Sequence, residues 1–241
     1  NAKEFYLTDI VKIASSFGLK TKFILTESSE ILGVNNREEL SIAERIFQER
    51  LRRKHMENGV TLVHPDSVFF GLDTEIENDV VIEPNVVFGS QVKIKKNCTI
   101  KSFSYIEGAE IEEGVSVGPF ARIRGKTKIG KKSKIGNFVE VKNSTLKDGV
   151  KAGHLAYIGD GEIGANVNIG AGAVFCNYDG KNKHTTIVGE NAFIGSNSSL
   201  VAPVEVGKNS FIAAGSVITE SVEEECLAIE RGKQTSIPRK K

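Results

Sequence analysis

Aliphatic residues recur at every sixth position along most of this chain. In the most regular tract they are Ile111, Val117, Ile123, Ile129, Ile135 and Val141; the count resumes after Leu146 with Ala152 and Ile158, and again with Ile163 and Ile169. Two flanking tracts keep the spacing of six: Ile76, Ile82, Phe88, Ile94, Ile100 and Ile106; and Val188, Ile194, Leu200, Val206, Ile212 and Ile218. A period of six fits neither the 3.6 residues of an α-helical turn nor a simple hairpin array. It is typical of the hexapeptide repeats of a parallel β-helix.

This period predicts the geometry of each repeat. One hexapeptide forms a short strand and a tight corner, and three of them close a triangular coil. Successive coils stack about 4.8 Å apart through parallel ladder hydrogen bonds. The aliphatic side chain points into the prism, and a small residue such as Gly130 often follows it where the backbone bends. Known hexapeptide coils are left-handed, an exception to the right-handed crossover rule, and we expect that hand over residues 68–220, about eight coils.

The segments before the repeat predict a different structure. A short helix beginning at Thr8 or Asp9 and ending at Gly18 is followed by a strand over residues 22–25. A long helix over residues 37–59 has Asn36 and Glu39 as a capping box. Its predicted apolar face is Leu40, Ala43, Ile46, Phe47 and Leu51, and its basic end, Arg50, Arg52, Arg53 and Lys54, is predicted to be solvated.

These patterns predict three parts and one interruption. Residues 1–36 form an α/β fragment, residues 37–59 a linking helix, and residues 60–241 a β-helix with a C-terminal tail, of which residues 238–241 are predicted to be disordered. The fold class is mainly β. The six-residue count fails over residues 176–186, which must leave the prism as a loop, and such loops usually lie on a solenoid's binding face.

Composition narrows the function. The chain has 32 Lys and Arg against 31 Asp and Glu, so a strongly basic nucleic-acid binder is not expected. Cys98, Cys176 and Cys226 form neither an even disulfide set nor a C-x-x-C pair, which favours a reducing compartment. No apolar run is long enough for a membrane helix, and the N-terminal residues do not resemble a signal sequence. We expect a cytoplasmic protein without a membrane partner.

Candidate chemistry lies on the outside of the prism, because its interior is filled with side chains. Arg124 and Lys142 are 18 residues apart, which places two cations in register on one face and suits a phosphate. Two merely solvated cations are the alternative. His154 follows Lys151-Ala152-Gly153, and a histidine can take a proton near neutral pH. The four histidines show no metal-ligand spacing, so zinc is not expected.

Several long motifs carry a family resemblance. They are Gly118-Pro119-Phe120-Ala121-Arg122-Ile123-Arg124, Gly136-Asn137-Phe138-Val139-Glu140-Val141-Lys142, Lys151-Ala152-Gly153-His154, Asn168-Ile169-Gly170-Ala171-Gly172 and Cys176-Asn177-Tyr178-Asp179-Gly180. Together they resemble the bacterial bifunctional N-acetylglucosamine-1-phosphate uridyltransferases/glucosamine-1-phosphate N-acetyltransferases. The resemblance implies acetyl-CoA-dependent N-acetylation of glucosamine 1-phosphate, in the UDP-N-acetylglucosamine pathway that supplies peptidoglycan and lipopolysaccharide. It also implies a homotrimer whose sites use more than one chain.

The resemblance also assigns roles to residues. His154 would be the general base, Glu140 would orient the site, and Arg124 and Lys142 would bind the sugar phosphate. Tyr157 and Asn168 would contact the amino sugar. The implied cofactor-binding set is Ala171, Asn177, Tyr178, Lys183, Ser196, Ala214 and Arg231. Backbone N–H groups of the extruded loop are the implied donors to the tetrahedral oxyanion.

The chain departs from the family pattern in ways that bear on function. Residues 1–36 resemble the end of the family's nucleotidyltransferase domain, and Asn35 resembles a Mg²⁺-ligating asparagine whose carboxylate partner lies in a domain outside this sequence. Uridyltransferase activity is therefore not expected of this chain alone. Arg124-Gly125-Lys126 stands where the family usually has Arg-Pro-Gly, and Phe175 replaces a smaller residue. Two alternatives stay open: a non-catalytic trimeric remnant, and an acyltransferase acting on another UDP-sugar.

Overall fold

A computed structural model describes residues 6–238, so that Arg239–Lys241 of the predicted disordered tail lie outside the described residues. Within that range there are two α-helices, α1 (Asp9–Ser16) and α2 (Arg37–Glu57), and two 3₁₀ helices, Ser28–Glu30 and Pro65–Ser67. The remaining elements are 26 short strands: β1 (Thr61–Leu62), β2 (Glu75–Ile76), β3 (Val81–Ile82), β4 (Val87–Phe88), β5 (Val92–Ile94), β6 (Thr99–Ile100), β7 (Tyr105–Ile106), β8 (Ala109–Ile111), β9 (Ser116–Val117), β10 (Arg122–Arg124), β11 (Thr127–Ile129), β12 (Lys134–Asn137), β13 (Glu140–Lys142), β14 (Thr145–Leu146), β15 (Lys151–His154), β16 (Tyr157–Gly159), β17 (Gly161–Ile163), β18 (Asn168–Ile169), β19 (Val174–Cys176), β20 (Thr186–Val188), β21 (Phe193–Ile194), β22 (Ser199–Val201), β23 (Val204–Val206), β24 (Phe211–Ile212), β25 (Val217–Ile218) and β26 (Leu227–Ala228).

The strands form three parallel sheets, one for each face of a prism. Face 1 has ten strands in the order β1-β3-β6-β9-β12-β15-β18-β21-β24-β26. Face 2 runs β4-β7-β10-β13-β16-β19-β22-β25, and face 3 runs β2-β5-β8-β11-β14-β17-β20-β23. Within each face a strand generally pairs with the one three positions earlier in the chain, as β10 pairs with β7. This is the connectivity of a coil. The fold is the predicted left-handed parallel β-helix, with about nine turns.

The interior consists of the aliphatic residues that the six-residue period places inward. All of them from Ile82 to Ile218 are buried, and Ile76 at the first turn is partly buried. Phe175, the large substitution noted in the sequence, is fully buried in the same core. The ring finds room because Gly161 has no side chain there: a Cβ at Gly161 would lie 3.3 Å from Cε1 of Phe175. The departure is thus accommodated by a neighbouring glycine.

The chain divides into two compact units, residues 1–47 and 48–241. In the first unit the predicted short helix is confirmed as α1, although Thr8 makes no side-chain capping hydrogen bond. The predicted strand over residues 22–25 is wrong, since these residues are exposed and have no regular secondary structure. A strand needs a neighbour for its backbone hydrogen bonds, and none of the described residues supplies one.

The beginning of α2 is held by asparagine side chains. The N–H of Glu39 donates to Oδ1 of Asn36 at 2.9 Å, as the predicted capping box requires. The return hydrogen bond differs from the prediction, because the carboxylate of Glu39 accepts from the backbone N–H of Asn35 instead of that of Asn36. One half of the capping box is therefore confirmed, and the other half is displaced by one residue.

The predicted faces of α2 are confirmed only in part. Arg50, Arg53 and Lys54 of the basic end are exposed as predicted, and Arg52 is buried. Of the predicted apolar face Leu51 is buried and Ala43 and Ile46 are half-buried, but Leu40 and Phe47 are exposed. The other buried side chains are Gln48, Arg52 and His55.

Backbone groups at the start of the β-helix explain this polar face. The Gln48 amide donates to the carbonyl of Phe70 at 2.8 Å and accepts from its N–H at 2.9 Å. Arg52, predicted to be solvated, donates to the carbonyl of Val68 at 3.4 Å and pairs with Asp66 at 3.6 Å. The helix thus satisfies backbone groups that would otherwise lack partners.

His55 gives the protein a pH-dependent stability. Its ring packs 4.5 Å from that of Phe70, its Nε2 has no partner among the described residues, and burial lowers the pKa of its imidazole. The unfolded chain then takes up a proton at higher pH than the folded protein does, so the free energy of unfolding should fall as the pH drops below about 6.5. Denaturant titrations across this range should show a shallower decline for His55→Phe.

The exposed His64 supplies the matched control, because His64→Gln removes one histidine without changing a buried group. This variant should keep the pH dependence of the unmodified protein. A His55→Phe variant with an unchanged pH slope would show that the buried imidazole is not its source.

Candidate functional site

One predicted group of site residues forms a column along the corner that follows face 1. This corner column consists of one residue from each of five successive turns, Asn137, His154, Ala171, Ser196 and Ala214. Backbone hydrogen bonds join the turns at this level, including Leu155 N–H to Asn137 O at 3.0 Å and Gly215 N–H to Ser196 O at 2.8 Å. Three turns separate His154 from Ala214, or about 14 Å.

The C-terminal part of the column, from Ala171 to Ala214, has a surface of small residues. Ala171, Ser196 and Ala214 have short side chains, and the guanidinium of Arg231 donates to the carbonyl of Ala214 at 2.9 Å. The six-residue count fixes this arrangement, since Ala171, Ser196 and Ala214 each lie two positions beyond an inward aliphatic residue of face 1. Four of the predicted cofactor residues therefore adjoin His154 in one continuous strip.

At the N-terminal end of the column, Asn137 and His154 are register partners on β12 and β15. The side chain of His154 is exposed. Its Nδ1 contacts Oδ1 of Asn137. The sequence analysis did not single out Asn137 as a site residue, although it precedes His154 by one turn of 17 residues.

The second group lies on face 2. Arg124 and Lys142 are register partners, which confirms the stacking that their spacing predicts. Nε of Arg124 donates to Oε1 of Glu140 at 2.7 Å, and both side chains are about 30% exposed. The guanidinium is thereby drawn along the face, while its remaining N–H groups keep their capacity to bind an anion.

A third cation joins this pair from the extruded loop. The pKa of Lys183 is lowered, chiefly by the neighbouring ammonium group of Lys142, and Asp160 and Tyr157 partly offset this effect. Two ammonium groups this close repel each other unless an anion lies between or beside them. The arrangement therefore favours an anion on face 2.

Tyr157 and Asn177 complete the face 2 group. A methyl group at Gly159 would lie 2.5 Å from the Tyr157 hydroxyl and 2.6 Å from Nδ2 of Asn177, so both side chains lie over this glycine. Asn177 is buried and donates from Nδ2 to Asp160, whose other carboxylate oxygen accepts from Nδ2 of Asn143. Asp160 thus ties the start of the loop to face 2, a role that the sequence analysis did not anticipate.

The predicted loop is confirmed between β19 and β20, where residues 177–185 leave the prism. It is a tight hairpin, with an antiparallel bridge between Tyr178 and Lys183. Asp179 accepts from the backbone N–H groups of Lys181 and Asn182 and from Nε2 of His184, each at 2.7 Å. These bonds, led by that from Asn182, lower the pKa of Asp179 to about 2, so the carboxylate stays charged.

Hydrogen bonds within the hairpin also occupy several loop N–H groups. Those of Asp179, Lys181, Asn182 and His184 all donate to acceptors inside the loop. None of these four is therefore directed outward as an oxyanion donor in this conformation. The hydroxyl of Tyr178 likewise donates to the carbonyl of Gly180 at 2.7 Å.

Asn168 is separate from the face 2 group within one chain. It lies on β18 of face 1, in register with Lys151 and Phe193. Tyr157, the other predicted sugar contact, lies on face 2 beyond the corner column. The structure therefore brings Arg124, Lys142, Tyr157, Asn177 and Lys183 together on face 2, while Asn168 lies on face 1.

Arg124-Gly125-Lys126, where the family usually has Arg-Pro-Gly, forms a corner whose backbone conformation suits glycine. Gly125 and Lys126 both have left-handed backbones, with φ of 68° and 59°. A proline, whose φ is fixed near −65°, cannot replace Gly125 in this conformation. The hydroxyl of Thr127 donates to the carbonyl of Arg124 at 2.7 Å and closes the turn.

The residues around Asn35 do not fit a magnesium site. The carboxamide of Asn35 donates to Glu39 at 3.1 Å, which leaves it as one amide beside one carboxylate. Mg²⁺ requires near-octahedral oxygen ligation. Among residues 6–238 no group of three or more His, Cys, Asp or Glu side chains could hold a metal ion. Within the same range neither α-helix is long and apolar enough to cross a membrane.

Comparison with family models and known sequences finds hexapeptide repeats in the chain and relatives among longer bacterial proteins. The model "Bacterial transferase hexapeptide (six repeats)" matches residues 73–108, 108–143 and 185–220. The bifunctional protein GlmU of Brucella anthropi is 59% identical over 235 residues, and that of Bartonella quintana is 48% identical over 234. Each alignment covers 97% of this chain but only 52% of the relative, so the chain spans about half the length of these proteins.

Solved structures confirm the fold. The UDP-N-acetylglucosamine acyltransferase LpxA of Bacteroides fragilis superposes with a TM-score of 0.52 and 19% identity, covering 68% of this chain and 70% of that one. LpxA of Acinetobacter baumannii gives the same TM-score with 15% identity, covering 69% of each chain. At these identities the likeness concerns the β-helix alone.

Proposed function

We propose that this chain, a homologue of the C-terminal acetyltransferase part of the bifunctional GlmU proteins, transfers the acetyl group of acetyl-CoA to the amine of glucosamine 1-phosphate. The observation that carries the proposal is the cation cluster on face 2, where Arg124 and Lys142 are register partners and Lys183 lies next to Lys142. A solvated cation pair, the alternative, does not account for a third cation, Lys183, beside Lys142.

The sugar phosphate supplies the anion that this cluster lacks. A phosphate placed at Lys142 and Lys183 relieves their mutual repulsion, and the guanidinium of Arg124 offers further donors. Glu140 accepts the Nε–H of Arg124, which leaves the terminal nitrogen atoms for the phosphate. Tyr157 is within the same cluster and is assigned to contact the sugar ring, while Asn177 is buried beneath it and holds Asp160. On this assignment Lys183 belongs to the phosphate side of the site and not to the cofactor.

His154 is the general base. Its Nε2 accepts a proton from the 2-amino group as the nitrogen forms a bond to the thioester carbonyl carbon. The carbon–sulfur bond then breaks, and the CoA thiolate leaves and takes up a proton. The products are N-acetylglucosamine 1-phosphate and CoA. Because His154 is exposed at a corner, the amine can approach it from outside the prism.

Acetyl-CoA is assigned to the strip below His154. Ala171, Ser196 and Ala214 offer a surface without large side chains for about 14 Å along the prism. A narrow, extended thioester arm needs such a strip to reach the base. Arg231, held by the carbonyl of Ala214, provides positive charge at the far end. In the proposed homotrimer a neighbouring chain covers this strip and closes the groove.

Thiol release from acetyl-CoA tests the proposal. We expect release with glucosamine 1-phosphate, and a KM for glucosamine at least about tenfold higher, because glucosamine lacks the phosphate. No thiol release with any amino sugar, from protein that is folded and trimeric by light scattering, would establish the non-catalytic remnant. Faster release with a UDP-amino sugar than with glucosamine 1-phosphate would instead establish an acyltransferase acting on a UDP-sugar.

A further inference from the structure

We propose that Asn137 is a positioning residue that fixes the tautomer of His154, an inference that rests on the proposed function of His154 as a base. The two residues face each other across the β12–β15 ladder, and Oδ1 of Asn137 contacts Nδ1 of His154. The backbone N–H of Leu155 also donates to the carbonyl of Asn137 at 3.0 Å, which keeps the two turns in register at this point.

The chemistry of the amide determines the tautomer. A carboxamide oxygen only accepts hydrogen bonds, so the imidazole nitrogen that contacts it must carry the proton. In a neutral imidazole the other nitrogen, Nε2, then has the lone pair. Nε2 is the atom that must accept a proton from the amine nucleophile. Asn137 therefore prepares the base before the substrate binds.

The choice of an amide over a carboxylate has a second consequence. A carboxylate at this position would stabilise the protonated imidazolium, which cannot act as a base. Asn137 orients the ring without adding negative charge. The charged groups on the strands around His154 are cations: Lys134 on β12 and Lys151 on β15, while β18 contributes only Asn168 and Ile169. Among the described residues of these three strands there is no carboxylate, and Tyr157 is the next titratable side chain along the coil.

Two substitutions with opposite effects test this role. Asn137→Ala removes the acceptor, and we expect kcat to fall by about tenfold or more while KM for glucosamine 1-phosphate is nearly unchanged. Asn137→Asp keeps the acceptor but adds charge, so the acid limb of the pH profile of kcat/KM should move to higher pH. A residue that served only to hold the strands together would lower activity at every pH without displacing the profile.

Asn191 provides the matched control. Asn191 is exposed, has a left-handed backbone with φ of 59°, lies in a ladder of hydrogen-bonded corner side chains, and accepts from Asn166 at 3.3 Å. It precedes β21, away from the face 2 cluster and from His154. Asn191→Ala and Asn191→Asp should leave kcat and the pH profile unchanged. A displaced profile in Asn191→Asp would mean that any added carboxylate has this effect and would overturn the assignment to Asn137.

A readout independent of activity separates this inference from the proposed function. Histidine labelled with ¹⁵N distinguishes a protonated from an unprotonated ring nitrogen, and loss of one signal set in His154→Gln identifies His154. The unmodified protein should show Nδ1 protonated at neutral pH, and Asn137→Ala should show a mixture. If Nε2 carries the proton in the unmodified protein, the inference fails even where acetyl transfer is observed. If acetyl transfer is absent but the tautomer is as expected, only the proposed function fails.

Discussion

His154→Ala should lower kcat/KM for acetyl transfer to glucosamine 1-phosphate by about a thousandfold, in the range that general-base catalysis contributes. The alanine cannot accept the proton of the 2-amino group, so attack on the thioester must proceed with water as the base. The face 2 cluster of Arg124, Lys142 and Lys183 is untouched, and binding of the sugar phosphate should persist. Thiol-release kinetics, together with calorimetric titration of glucosamine 1-phosphate, separate these two expectations.

A histidine remote from the site serves as the control. His64 is exposed and precedes the 3₁₀ helix Pro65–Ser67, so His64→Ala should retain full activity. Thiol release by His154→Ala at the unmodified rate would remove His154 from the mechanism. Loss of sugar-phosphate binding in the same variant would assign His154 to substrate binding.

The sequence predicts the prism because its period is long and repetitive. Each inward position, such as Ile123 or Ile158, tolerates only an apolar side chain, so the pattern is unbroken across most turns. The register of Arg124 with Lys142 follows from the same count. Where the chain leaves the coil after β19, the six-residue period stops, so the loop is also predictable from the sequence.

The errors lie where contacts with distant residues determine the structure. Gln48, Arg52 and His55 are polar or basic, and helix periodicity alone assigns them to solvent. Gln48 and Arg52 are buried because backbone groups at the first turn of the β-helix need partners, and His55 is buried because its ring packs against Phe70. The residues 22–25 have a strand composition but no neighbouring strand among residues 6–238. The β-propensity of a segment is therefore a weak guide where strand formation depends on pairing with another strand.

Among the site residues, too, those placed by the repeat period are predictable, and those placed by contacts with distant residues are not. Asn137 and Asp160 are ordinary polar corner residues in the sequence, and only their contacts with His154 and Asn177 give them a role. A search one turn before and after each candidate, at a spacing of 17 or 18 residues, would have found Asn137. The position of Lys183 against Lys142 could not be found in this way, because it depends on the fold of the extruded hairpin.

Gly136→Ala should be among the most destabilising substitutions in the β-helix, with a loss of about 3 kcal/mol or more. Gly136 is buried on β12, and an added Cβ would overlap the carbonyl oxygen of Gly153 and lie 2.6 Å from its carbonyl carbon. These are backbone atoms of the adjoining strand β15, so they cannot rotate away as a side chain can. Relief requires β12 and β15 to separate, which breaks ladder hydrogen bonds next to Asn137 and His154.

Gly153→Ala is the matched control on the adjoining strand. An added Cβ there meets no atom within 4 Å, and Gly153 has no left-handed φ that would penalise alanine. Its stability should be unchanged or higher by up to about 1 kcal/mol, because alanine restricts the unfolded chain. Denaturant midpoints measured at one protein concentration compare the three proteins, since association contributes to the stability of an oligomer. Equal midpoints for Gly136→Ala and Gly153→Ala would show that the two strands can move apart without cost. In that case the close packing of β12 on β15 could not be what holds Asn137 against His154.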